Sequence, residues 1–254
     1  MSKGQAKIAI SQGLSVWVLE APQGFGDADF HAHHAIQITA GLTGPLEISL
    51  EHETLTGSVL AVAADARHRF RASGLLVFIF VEPESGPGRA LTANLLRGRE
   101  LSPVASADIL EILAPLTITF EQALGSDDLL RAGRAVVELM MPHDEAPMPD
   151  ARIRRVIEHA SRHIEGALSL SDMAHHLALS PSRLRHLFVE QTGLAFKTYI
   201  LWLRLVRAID IYSKGQSLTE AAHGAGFSDS AHFSRVFRRT FGLPATTLKR
   251  VVPN

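Results

Sequence analysis

The sequence predicts an α+β chain of two domains. The N-terminal domain is a small β-barrel or sandwich with flanking helices. The C-terminal one is all-α, with two helix-turn-helix units joined by a long helix. Three observations predict this. Short apolar runs punctuated by Gly, Pro and Asp fill the first third of the chain. A helix–turn–helix phrase near the C-terminus occurs twice. The charge is split: residues 1–150 hold 10 Lys/Arg and 19 Asp/Glu, a net of −9, whereas residues 151–254 hold 15 and 7, a net of +8. A length of 254 residues fits two domains.

The first domain is expected over residues 1–85. Its strand-like runs are Ser15–Glu20, Ala35–Thr39, Leu46–Leu50, Val59–Ala63 and Leu75–Val81. Five or more such strands suggest a sandwich or small barrel. Trp17, flanked by Val16 and Val18, reads as core or pocket wall. Among these runs lies Phe30-His31-Ala32-His33-His34-Ala35-Ile36-Gln37, followed by Gly41 and Gly44. Side chains alternate along extended backbone, so His31, His33 and Gln37 share a face and His34 takes the other. His68 follows just before another strand. Three imidazoles and a carboxamide suit a divalent metal such as Zn, Fe, Ni or Cu. The same histidines can instead orient hydrogen bonds at a strand edge or line an organic-ligand pocket.

This pattern resembles that of the cupins: His-x-His, an acidic or amide residue four later, a glycine beyond, then a third His. The resemblance implies a cupin-like barrel. Metal-binding cupins usually carry Glu where Gln37 stands, and the exchange removes a charge. Trp17, His31, His33, Gln37 and His68 are therefore the residues expected at an effector pocket. No cofactor is expected, and a divalent metal on His31, His33, Gln37 and His68 is the alternative.

The breaker cluster Glu82–Ala90 should close the barrel. Three helical patterns follow in residues 86–141: Ala90–Arg99; Ala105–Leu124, which Pro115 should kink or divide; and Asp127–Met141, with Leu129, Leu130, Val136, Val137 and Met140 apolar. They can form a dimer surface or simply cover the barrel. Residues 142–150, PHDEAPMPD, read as the interdomain linker.

The second domain is expected over 151–254. Ala151–Gly166 opens it as a helix with Ile153, Val156, Ile157, Ala160 and Ile164 inward. Then comes Ser169–Phe188, SLSDMAHHLALSPSRLRHLF, and its repeat in Ser217–Leu243, SLTEAAHGAGFSDSAHFSRVFRRTFGL. Ser217 with Glu220, and Ser169 with Asp172, form capping boxes. Ser180-Pro181 is an N-cap followed by proline at the first helical position, and Ser228 or Asp229 caps the last helix. Between the copies, Ala195–Ser213 has no Gly or Pro and makes a rod of roughly 28 Å. That approaches the ~34 Å of one DNA turn, so one chain can place two helices in successive major grooves.

Ser169–Arg250 resembles the DNA-binding domain of the AraC/XylS-type transcription regulators, over about a third of the chain. SLSDMAHHLALSPSRLRHLFVEQTG, the Tyr199, Arg204 and Ala208 linker helix, and GFSDSAHFSRVFRRTFGLP carry the resemblance. Two features depart from it. Ala195 stands where proline is frequent, and ATTLKR after Pro244 lacks an aromatic–Arg ending, so that segment is assigned no contacts. The resemblance implies base contacts at Ser182, Arg185 and His186 on the first reading helix and at Ser230, His232 and Arg235 on the second. Arg185 leads, because a guanidinium can engage both acceptors of guanine. Arg183, Lys197, Arg238 and Arg239 are expected at phosphates, which fix register rather than sequence. A cupin barrel is the usual sensor of this class, generally without metal.

Together these readings imply a sequence-specific regulator of transcription that binds double-stranded DNA and is controlled by a small-molecule effector in the barrel. The alternative is a metal-binding cupin, sensor or enzyme, fused to a DNA-binding domain. A homodimer is expected, with RNA polymerase a further partner if the protein activates. No enzyme is expected, since neither a Ser/His/Asp elbow nor a P-loop ending is present. The chain has no Cys and no apolar run long enough for a membrane span, and its start lacks a signal-peptide core, so a cytoplasmic protein is expected.

Overall fold

The computed structural model describes residues 6–21, 28–105, 107–120, 125–141, 148–166 and 168–248. It contains two compact units, Met1–Ala146 with Ser234–Asn254, and Pro147–Phe233. Ser234–Asn254, read from the sequence as the end of the 151–254 domain, therefore cluster with the N-terminal residues.

Two antiparallel sheets build the first unit. One has the order β1 (Ala6–Ser11), β2 (Leu14–Ala21), β8 (Gly74–Val81), β3 (Ile36–Gly41), β6 (Val59–Val62) and β9 (Leu101–Pro103). The other has the order β5 (Thr54–Gly57), β4 (Leu46–Ser49), β7 (Arg69–Ala72). The central strands β2, β8 and β3 are buried almost throughout, which explains their apolar content. Register sorts their side chains into two faces. Val16 and Ile38 both stand opposite Ile79, while Trp17 and Thr39 stand opposite Phe78 and Gln37 stands opposite Phe80. The first set packs under helices; the second carries the aromatic and polar groups of the candidate site.

The covering helices are α2 (Ala107–Thr119) and α3 (Ser126–Met140). Ile109, Leu113 and Leu116 of α2 and Leu129, Val136 and Val137 of α3 join Val16, Val18, Ile36, Ile38, Val77 and Ile79 in one core. The apolar stripe of α3 is thus consumed within the chain. Contact there is close: a Cβ at Gly133 would stand 2.4 Å from Val16 Cγ2, so the helix sits where only glycine fits.

Three local expectations change. The sheet does not end at residue 85; β9, in the segment read as helical, pairs with β6 because Leu101 and Ser102 extend the buried edge opposite Val62 and Ala61. The expected helix Ala90–Arg99 is instead α1 (Gly86–Leu91) and one π turn, Thr92–Leu96, ended by Arg97 in the left-handed region at φ 50°. Pro115 does not divide α2. It lies on the exposed side, where water can reach the carbonyl one turn earlier to which proline offers no N–H. The expected linker up to residue 147, the helix end at 121–124 and Lys249-Arg250 lie outside the described residues.

The second unit holds α4 (Ala151–Arg162), α5 (Leu170–His176), α6 (Pro181–Thr192), α7 (Phe196–Ser213), α8 (Leu218–Gly224) and the start of α9 (Ser230–Phe241). Ile153, Val156 and Ala160 of α4 are buried, as their spacing requires. Asp150 caps α4 through Arg152 N at 2.8 Å, and its own N–H donates to Gln191 Oε1 of α6 at 3.1 Å. On α7, Tyr199, Leu205, Ala208 and Ile209 are fully buried. Its Arg204 donates to the carbonyls of Ile164 and Gly166, both at 3.2 Å, and so closes the end of the α4 segment.

Candidate functional site

Capping chemistry sets the two reading helices. Ser180 Oγ accepts from Arg183 N at 3.2 Å and Pro181 begins α6. Asp229, rather than Ser228, caps α9, accepting from His232 N at 2.7 Å. The bracing helix α8 has a full capping box: Ser217 N donates to Glu220 Oε2 at 2.7 Å and Glu220 N to Ser217 Oγ at 3.2 Å. On α5 only the half from Asp172 N to Ser169 Oγ, 3.3 Å, is formed among the described residues. Asp is one methylene shorter than Glu and does not reach back.

Burial separates core from reading face on both helices. Leu184, Leu187 and Phe188 on α6, and Phe233, Val236 and Phe237 on α9, are buried at matching positions 49 residues apart. Ser182, Arg185 and His186 are exposed on α6, as is Arg235 on α9. In that register Arg235 stands where His186 does, and Ser234, half-buried, where Arg185 does. Ser230 and His232 are also half-buried. His232 packs at the helix start, with its ring edge-on to Phe227 at 5.2 Å and Nδ1 3.3 Å from Ser228 Oγ. Arg183, Lys197, Arg238 and Arg239 are exposed. Arg238 is engaged: Nε and Nη2 donate to Asp29 Oδ2 at 3.2 and 3.0 Å, inside the first unit.

In the same unit His31, His33, Gln37 and His68 come together as their parity implies. His31 and His68 form an isolated antiparallel bridge, which joins residues 37 apart in sequence. Ring centroids lie 4.3 Å apart for His31–His68, 5.1 Å for His33–His68 and 5.8 Å for His31–His33. All three are buried. Burial pushes each below the usual imidazole range, His31 to about 4 and His68 well below its ordinary value, and the mutual proximity of the rings adds to this for His31 and His68. The three are neutral near pH 7. Each aims Nδ1 at a backbone carbonyl two residues away: His31 at Asp29 (2.8 Å), His33 at Ala35 (3.1 Å) and His68 at Ala66 (2.9 Å). His34 faces elsewhere, between Asp65 (3.1 Å) and Glu84 (3.0 Å).

Sequence reading missed the aromatic residues around this cluster. Phe80 lies 4.8 Å from Trp17 and 5.2 Å from His33, ring to ring, and Phe78 stacks with Phe80 at 6.1 Å. Phe241 lies 4.9 Å from Trp17 and 5.7 Å from His33. Phe78 and Phe80 share parity in β8, a signal that was available; Phe241 offered none. Thr39, two residues after Gln37, accepts from its Nε2 at 2.9 Å.

Residues 173–250 match a helix-turn-helix domain family. The arabinose operon regulatory protein of Escherichia coli K12 is 33% identical over 116 residues, covering 45% of this chain and 38% of that protein. The transcriptional activator RhaS of Shigella sonnei is 27% identical over 257 residues, covering 94% and 90%. This chain is similar to AraC-type regulators in its C-terminal part. It spans 32 to 40% of the length of several of the curated relatives it matches. ToxT from Vibrio cholerae O395 has a similar fold, with TM-score 0.56, 13% identity and coverage of 97% of this chain and 98% of that one. No described helix is long and apolar enough to cross a membrane.

Proposed function

We propose that this AraC-type chain is a sequence-specific, DNA-binding regulator of transcription whose N-terminal barrel takes a small-molecule effector. The observation that carries it is the repeated, capped helix pair whose core positions match while Arg185 and Arg235 remain exposed at the turn-proximal half of each second helix. Ser182, His186, Ser230 and His232 complete the base-reading set, and Arg183, Lys197, Arg238 and Arg239 hold phosphates. A net of +8 in residues 151–254 supplies the sequence-independent attraction.

The effector reading draws on Trp17, His31, His33, Gln37 and His68 sharing one buried face. A ToxT structure of similar fold, TM-score 0.51 and 14% identity, is described as bound to an unsaturated fatty acid. An effector acts only by binding one state of the protein better than another. Homodimerisation through the outer faces of α2 and α3, where Leu139 is exposed, belongs to the same proposal. So do cytoplasmic residence and, if the protein activates like RhaS, contact with RNA polymerase. No catalytic step is part of it.

Selection of binding sites from random double-stranded DNA, followed by anisotropy titration, tests the reading. A recurrent motif should emerge, and Arg185→Ala and Arg235→Ala should each lose about 1–3 kcal/mol of discrimination at one position. No motif, or both variants with unaltered preference, would refute it.

A further inference from the structure

The two helix-turn-helix units share one turn geometry but not the residue at its centre. In the first, Ala178 N donates to His175 O at 3.2 Å and Leu179 N to Ala174 O at 2.9 Å. In the second, Gly226 N donates to His223 O at 3.0 Å and Phe227 N to Ala222 O at 2.9 Å. The central residue is left-handed in both, with φ 53° at Ala178 and φ 79° at Gly226. The first unit thus carries an alanine there, although this conformation favours glycine. Backbone conformation alone does not require Gly226.

Space does. A Cβ on Gly226 would stand 3.0 Å from Arg204 Nε and 3.3 Å from its Cζ, so the guanidinium from α7 occupies the place of that side chain. The same guanidinium donates through Nε to Ile164 O and through Nη2 to Gly166 O, both at 3.2 Å. One planar group therefore holds two carbonyls just past α4 and lies against the turn that precedes α9. Gly224, the last residue of α8, is also seated on α7: a Cβ there would stand 2.9 Å from Ile211 Cδ1. Their counterparts in the first unit, His176 and Ala178, are exposed.

We propose that Arg204 is the positioning residue of the second reading helix: it fixes the α8–α9 turn to the end of α4 and so sets the angle at which α9 presents Arg235. The inference rests on the reading of α6 and α9 as the helices that contact bases. The first reader is held elsewhere, through Gln191 of α6, whose Oε1 accepts from Asp150 N at the opposite end of α4 at 3.1 Å. Arg235 lies about 8 Å along α9 from its first residue, so a tilt at the turn displaces it from its base. Lysine would not serve at position 204, because an ammonium is a point charge without the planar fork that meets two carbonyls and packs flat on a glycine.

Site selection with the full-length wild type comes first, and Arg185→Ala and Arg235→Ala assign the halves of the selected motif to α6 and α9. Arg204→Met keeps the apolar stem and removes the fork. It should lower discrimination in the α9 half about tenfold and alter the α6 half by less than about twofold. Gly226→Ala, which copies the residue of the first unit, should act on the same half by pushing on the guanidinium. Combined with Arg204→Met it should add nothing further, since both act through one contact. If circular dichroism shows Arg204→Met unfolded, Arg204→Lys replaces it with the same expectation. Equal loss in both halves would make Arg204 a general stabiliser and overturn the proposal, as would unaltered preference in the α9 half. Additive effects of the two substitutions would overturn it too. A wild type that selects no motif sinks the regulator and this inference with it; a two-part motif indifferent to Arg204 sinks this inference alone.

Discussion

His33 Nε2 and the side-chain amide of Gln37 face each other at 3.0 Å. The His33 proton is committed to Ala35 O through Nδ1. Rotation of the amide lets its NH2 donate to His33 Nε2 and Thr39 Oγ1 donate to its oxygen, which satisfies all three buried groups. Gln37→Leu leaves His33 Nε2 and Thr39 without this partner and should cost about 1–3 kcal/mol in urea denaturation. A variant as stable as wild type would show that the chain of hydrogen bonds contributes nothing to the fold.

His34 is held by charge. It is buried, with Nδ1 3.1 Å from Asp65 and Nε2 3.0 Å from the buried Glu84. Burial alone would lower its pKa, but the hydrogen bonds and charges of Asp65 and Glu84 outweigh it and raise the group to about 9. The imidazolium thereby ties the start of β3 to the segments after β6 and β8. His34→Gln removes the positive charge beside Glu84 and should cost about 3 kcal/mol in urea denaturation. The pair His34→Leu, Glu84→Leu should recover most of that loss, since it removes the buried carboxylate as well. A double variant no more stable than the single would argue against an ionic tie.

Much of this arrangement was legible in the sequence, for reasons that differ by element. Ser180-Pro181, Ser217 with Glu220 and the Leu184/Phe233 registers are local signals, and local hydrogen bonds realise them. The shared face of His31, His33 and Gln37 followed from alternation, although the strand there begins only at Ile36. The strand β5 lacked a signal because its Thr54 and Thr56 are exposed and no continuous apolar run marks it. The bridge between His31 and His68 and the approach of Phe241 depend on packing between segments distant in sequence, which no local pattern encodes. Pro115 misled because propensity was judged without knowing which side of α2 meets water.

The two bracing helices should differ in stability contribution. Ser217 and Glu220 satisfy two helix-start amides reciprocally, whereas Ser169 satisfies one. Glu220 carries a lowered carboxyl pKa because it accepts from Ser217 N–H. Ser217→Ala should cost about 1 kcal/mol, and Ser169→Ala somewhat less. Denaturant midpoints of the full chain compare them, and a larger loss at Ser169 would contradict the difference in capping.

Arg235 and Arg238, one turn apart on α9, should divide the work of reading and holding DNA. Arg235 is exposed with no ion pair among the described residues, so Arg235→Ala should relax preference at one base position and leave non-specific affinity nearly intact. Arg238 donates both Nε and Nη2 to Asp29, and must exchange that carboxylate for a phosphate when it engages DNA. Arg238→Ala should weaken all sequences alike and lower the salt slope by about 1. Asp29→Asn should strengthen all sequences alike. The Asp29–Arg238 pair is exposed and such pairs contribute roughly 0–1 kcal/mol, so the gain should not exceed about fivefold. Anisotropy titrations across a salt series on one selected and one scrambled duplex measure all three variants. A sequence-dependent effect of Asp29→Asn would place Arg238 among the base-reading residues instead.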